Sequence, residues 1–319
     1  MEISIGYWIG FLVFVVIMLM LDLGIFHKKD TEVKIKEAVL WSLFWISLAL
    51  VFNVLIYFLF GQGDIGKSQA LDFFTAYVLE KSLSVDNLFV FIVIFSYFNI
   101  APKYQHKVLF WGIFGALIMR AIFIFAGVAL IQQFSWIMYI FGAFLVYTGI
   151  HILASKNDNE KFDPNKNFIM RTFRKMMPVM DDTSDPRFFV RKEGILYATP
   201  FFLALLFIEI SDVVFAIDSI PAVLSVSKDI FIVFTSNIFA ILGLRSLYFA
   251  LNGIMSYFFY LKYALAGILS FIGLKMCINE FCAMYDYEFH ISNYVSLGII
   301  VSLLTISIIF SVMKKNQNR

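Results

Sequence analysis

Apolar runs recur nine times along the chain, each near the roughly 20 residues that a helix needs to cross a lipid core. They cover approximately 5–26, 38–60, 71–98, 107–131, 134–154, 194–224, 230–251, 258–280 and 291–313. A backbone in hydrocarbon must satisfy its own hydrogen bonds, so only helices and closed barrels span a bilayer. Barrel strands would read as short alternating segments, and these runs do not alternate. The expectation is one all-α membrane domain over 1–319 with about nine transmembrane helices. Composition agrees: 61% of the 319 residues are hydrophobic, 15% are charged and the mean hydropathy is +0.84. A soluble globular chain carries about 25% charged residues.

Charge between the runs sets an expected orientation. Only Glu2 carries a side-chain charge before the first run, and no small-x-small cleavage site follows it, so that run reads as a retained helix rather than a signal peptide. With the N-terminus outside, the inside segments hold 19 Lys or Arg and the outside segments only Lys67 and Lys228, as the positive-inside rule requires. The C-terminus is then cytoplasmic. The longest connection, 155–193, mixes nine bases with seven acids and three prolines and reads as a solvated cytoplasmic loop. Its charges form no continuous basic run, so no nucleic-acid partner is expected. The two cysteines, Cys277 and Cys282, lie five apart on a helical run, a spacing that suits neither a disulfide nor a metal pair. They read as buried apolar thiols.

Two segments echo each other. Glu80-Lys-Ser-Leu-Ser-Val-Asp86-Asn87 in the third run and Asp212-Val-Val-Phe-Ala-Ile-Asp218-Ser219 in the sixth share an acid, five residues, an aspartate and a small polar residue. Downstream, Arg120 matches Arg245 and Gly149-Ile-His151 matches Gly273-Leu-Lys275. The units 71–154 and 194–280 each contain three crossings, an odd number that inserts the second copy upside down. Inverted repeats of this kind mark secondary transporters whose site lies near the midplane. Six residues turn an ideal helix by about 600°, leaving the two acids of each segment some 120° apart. Pro221 offers a place for the sixth helix to bend or break and so bring Asp212 and Asp218 together.

Five acids, Glu80, Asp86, Glu209, Asp212 and Asp218, thus lie inside apolar runs, where each ionised carboxylate costs about 3 kcal/mol or more. One compensation is structural: Lys81, Arg120, Arg245 and Lys275 pair with them. The other is a bound cation. Carboxylate, amide and hydroxyl oxygens suit hard ions such as Mn, Mg or Ca better than Zn or Cu, which usually recruit His or Cys. Sodium and protons remain open by the same chemistry. Asp22, near the end of the first run, reads equally as structural or functional, and Asp72 as an acid at a helix start.

These stretches carry a resemblance. Glu80-Lys-Ser-Leu-Ser-Val-Asp-Asn-Leu-Phe-Val-Phe91 and Glu209-Ile-Ser-Asp-Val-Val-Phe-Ala-Ile-Asp-Ser-Ile-Pro-Ala222 resemble paired signatures of the TerC family, specifically its Alx-like members. Leu21-Asp-Leu-Gly-Ile-Phe-His27 and Phe239-Ala-Ile-Leu-Gly-Leu-Arg-Ser-Leu-Tyr-Phe249 look like two further landmarks. His151 stands where the family often has Lys. The resemblance implies a bacterial inner-membrane protein of the lysine-exporter-like superfamily, linked to tellurium resistance by name and to manganese export by function. Its acidic motif positions fall on Glu80, Asp86, Asp212 and Asp218, with Asn87, Glu209 and Ser219 beside them as metal ligands. Arg120, Arg245, Lys275 and Asp22 are supporting charges. The expected function is export of a divalent cation, Mn2+ foremost, against a proton or sodium counter-ion, with no resident cofactor. The alternative is a non-transporting membrane component of a tellurium-resistance or metal-loading complex. An enzyme is not expected, because no nucleophile–base or metal-protease set accompanies the acids.

Overall fold

The computed structural model describes residues 5–26, 35–60, 63–134, 136–154, 177–180, 186–252, 260–285, 287 and 289–317. Ten helices make up most of it: α1 (Ile5–Phe26), α2 (Ile35–Leu59), α3 (Gly63–Tyr97), α4 (Pro102–Gln133), α5 (Ile137–Ala154), α6 (Pro200–Leu224), α7 (Ile230–Leu242), α8 (Leu244–Asn252), α9 (Leu261–Met284) and α10 (Asn293–Gln317). Among the described residues, α2, α4, α5, α6, α9 and α10 are each long and apolar enough to cross a membrane. The α7–α8 pair makes a seventh if it is taken as one span bent by 40°. This is an integral, multi-pass membrane protein. Two of the nine expected spans fall short by composition or length. The 35-residue α3 carries Asp64, Lys67, Asp72, Glu80, Lys81 and Asp86, and the described apolar stretch of α1 is only Ile5–Leu21.

The fold is not wholly helical. Strands β1 (Phe189–Lys192) and β2 (Ile195–Ala198) pair antiparallel; β1 lies in the expected loop 155–193, and β2 takes the start of the run 194–224 expected to be helical, the helix beginning only at Pro200. Glu193 and Gly194 both have positive φ, at 51° and 82°, the requirement of a two-residue turn that twists with its strands. The rest of 155–193, apart from 177–180 and 186–188, lies outside the described residues.

Helix α6 runs through Pro221 without interruption, so the expected break is not there. Pro221 stands three residues before the helix end, so only the last turn follows the missing backbone donor. The discontinuity occurs instead at Gly243, between α7 and α8. Asp229 starts α7 by accepting the backbone N–H of Phe231 at 2.9 Å and Ile232 at 3.2 Å.

At the centre, α3 packs on α6 and α7, α4 on α6, and α5 on α9. The α5–α9 seam is a backbone contact. A Cβ on Gly149 would strike the Ala266 carbonyl at 2.6 Å and collide with Ser270; one on Gly273 would strike the Val146 backbone nitrogen at 2.9 Å and collide with the Gly142 carbonyl. Small residues bring membrane helices this close. Around this centre, α2 leans on α3 and α8, and α10 on α9 and α3. Phenylalanines fill the wedge between α1, α2, α3 and α7: Phe52 lies 5.5 Å from Phe11, 5.4 Å from Phe73 and 4.8 Å from Phe239, ring centre to ring centre.

Candidate cation site

The two echoing segments meet across one cavity of about 180 Å³, with Glu80 and Asn87 contributed by α3 and Asp218 and Ser219 by α6. Thr148 and Ile152 of α5 and Leu265 and Leu269 of α9 wall the other side. These side chains converge because the α5–α9 seam seats both helices against the centre without bulky residues between them. Four oxygen-bearing groups from two distant parts of the chain therefore face one volume. The Thr148 hydroxyl donates to the Asp218 carboxylate at 3.2 Å. Ser219 is 2% exposed, and its hydroxyl has no hydrogen-bond partner among the described residues.

Behind the cavity lies a charged knot. The Arg120 guanidinium, fully buried on α4, touches the Glu80 carboxylate and pairs with Asp212 at 3.1 Å. It also donates to the Asn237 side-chain oxygen of α7 at 3.2 Å and to the second Asp212 oxygen at 3.5 Å. One arginine thus links an acid from each segment. The structural compensation weighed from sequence is present for these two acids, through Arg120. Among the described residues no three His, Cys, Asp or Glu side chains converge closely enough to hold a metal ion.

The other expected residues distribute as follows. Asp212 and Asp218 face different partners, as their 120° separation on an unbroken helix dictates. Glu209 is half-buried and presses its carboxylate against Gly115 of α4, where a Cβ would overlap it; it does not line the cavity. Arg245 is buried in α8. Lys275 is buried but does not line the cavity, and it donates to Asn293 at 2.6 Å; Asn293 donates in turn to Asp72 at 2.7 Å and to the Val226 carbonyl at 2.8 Å. His151 is exposed and stacks on Tyr147. Lys81 donates to the Ala240 carbonyl at 3.0 Å, at the end of α7. The side chains of Asp86 and Asp22 lie outside the described residues.

Thr148 and Asn237 went unrecognised in the sequence. Asn237 ends the short polar triplet Thr235-Ser236-Asn237 within an apolar run, and Thr148 directly precedes the Gly149 landmark.

A membrane helix bundle in which two echoing acidic segments meet across one cavity, otherwise walled mostly by apolar side chains, defines a class of polytopic membrane proteins built around buried carboxylates. The family is also evident from comparison: the model of the integral membrane protein TerC family matches residues 65–319. This chain belongs to that family. It is 48% identical over 312 residues to an uncharacterized membrane protein of Myxococcus xanthus, covering 98% of this chain and 93% of that one. It is 44% identical over 308 residues to a protein of Escherichia coli K12, Alx, named as a candidate membrane-bound redox modulator, with 95% and 93% covered. An uncharacterized membrane protein of Rickettsia felis is 42% identical over 310 residues, with 97% and 98% covered. No solved structure matches.

Proposed function

We propose that the protein is a secondary transporter of the bacterial inner membrane that exports a divalent cation, Mn2+ foremost, through the cavity between α3, α5, α6 and α9. The observation that carries this reading is the meeting of Glu80 and Asn87 with Asp218 and Ser219 around one volume. These are the hard oxygen donors that Mn2+ accepts. In this reading the chain crosses the bilayer nine times, N-terminus outside, with α1 and the charged α3 as full spans.

The reading includes an inverted repeat, supported by reciprocal packing. Taking α3 as the counterpart of α6 and α4 as that of α7–α8, the α3–α7 contact mirrors the α6–α4 contact. With Gly149 matched to Gly273, the residues each glycine meets, Ala266 and Ser270 or Gly142 and Val146, fall on matching positions. Uphill export draws on a proton or sodium gradient.

The test is uptake of radiolabelled manganese into inverted vesicles with and without a pH gradient. Wild type accumulates the ion, and Asp86→Asn and Asp218→Asn abolish accumulation. Normal accumulation by a well-expressed double variant removes the reading. A second reading, a non-transporting component of a metal-loading or tellurium-resistance complex, draws on Arg120 already pairing with both Glu80 and Asp212. It predicts that the acid variants keep their phenotype and that changes within 155–193 lose it.

A further inference from the structure

Arg120 holds its two acids unequally. Asp212 meets the guanidinium at 3.1 and 3.5 Å through both carboxylate oxygens, and Asn237 accepts from it at 3.2 Å. Asp212 is not part of the cavity wall, whereas Glu80 both touches Arg120 and lines the cavity. The arginine is therefore anchored from α6 and α7, and Glu80 is the partner that can leave without setting it adrift. Glu80, Asp212 and Arg120 sum to one formal negative charge, with Asp218 across the cavity. A bare carboxylate there costs about 3 kcal/mol or more, so Glu80 can quit Arg120 only for another cation.

We propose, building on the export reading, that Arg120 is a built-in counter-cation. It holds Glu80 while the cavity carries no ion and yields it to an incoming divalent cation, which then bridges Glu80 and Asp218. Glu80 is thereby paired while the site is empty and the site can reorient, so Arg120 is a positioning residue for the return step of the cycle. It also competes with the substrate: only the fraction of molecules with Glu80 released can bind, which weakens the apparent affinity.

The experiment uses the full-length protein with Mn2+ as the probe, in detergent for equilibrium binding and in liposomes for net transport and for Mn2+–Mn2+ exchange. Because R120Q alone strands two buried acids and can fail to fold, R120Q/D212N is run beside it; it removes one charge of each sign. The expected result for the double variant is binding about tenfold tighter than wild type, exchange retained and net transport lost. A purely structural arginine would instead give weaker binding, or exchange and net transport falling together, and either result overturns the proposal. D218N separates the two levels: if it binds and exchanges Mn2+ like wild type, the export reading itself falls, and this proposal with it.

Discussion

Asp218 is the carboxylate in the cavity whose orientation rests on a single described hydrogen bond, from Thr148 at 3.2 Å. A neutral hydroxyl donating to a carboxylate is worth about 1.5–3 kcal/mol at most. Thr148→Val keeps the shape and removes the donor. The expected outcome is Mn2+ binding weakened about tenfold with folding intact, measured by titration of the purified protein beside its melting curve. Unchanged affinity would show that Asp218 is oriented by something else. The same residues show what can be read from a linear chain. The cost of an acid in lipid pointed to Glu80, Asp212 and Asp218 without any structure, and all three lie in or beside the site. The sequence could not say that Arg120 would reach acids of both segments at once, since that requires α6 to pack against both α3 and α4.

At the scale of elements, the α5–α9 seam is the arrangement on which the cavity's far wall depends. Gly273→Leu should force the backbones apart. Overpacking of this kind costs about 1–3 kcal/mol and should appear as a lowered melting temperature in detergent. Gly10→Leu on α1, where nothing lies within 4 Å of an added Cβ, should melt like wild type. Helix existence was legible because long apolar runs in a chain this hydrophobic have few alternatives. Helix breaks were less so. Pro221 advertised one that a nearby helix end makes unnecessary, while Gly243 creates one in an apolar stretch with no proline to mark it. The β1–β2 hairpin was hidden because it straddles the end of a charged segment and the start of an apolar run, and its Glu193-Gly194 turn is a short and weak signal.

Taken whole, the molecule has two distinct ends. Helix α6 is 25 residues long, about 37 Å at the usual rise; the hairpin lies at its start and the loop bearing Lys228 follows its end. In a Cys277→Ser/Cys282→Ser background, Lys228→Cys should react with a membrane-impermeant maleimide on intact cells and Lys192→Cys only in inverted vesicles. The reverse pattern would flip the charge-based orientation. At the Lys228 end, Lys275, Asn293 and Asp72 are joined side chain to side chain, and Asn293 also grips the Val226 carbonyl. These bonds clasp α9, α10, α3 and the end of α6 together. In a carrier that opens to one face at a time, a clasp at the far end from the hairpin acts as a latch. Under the export reading, each turnover would have to undo and remake it, so its strength would set the pace of the outward half of the cycle rather than the affinity for cargo.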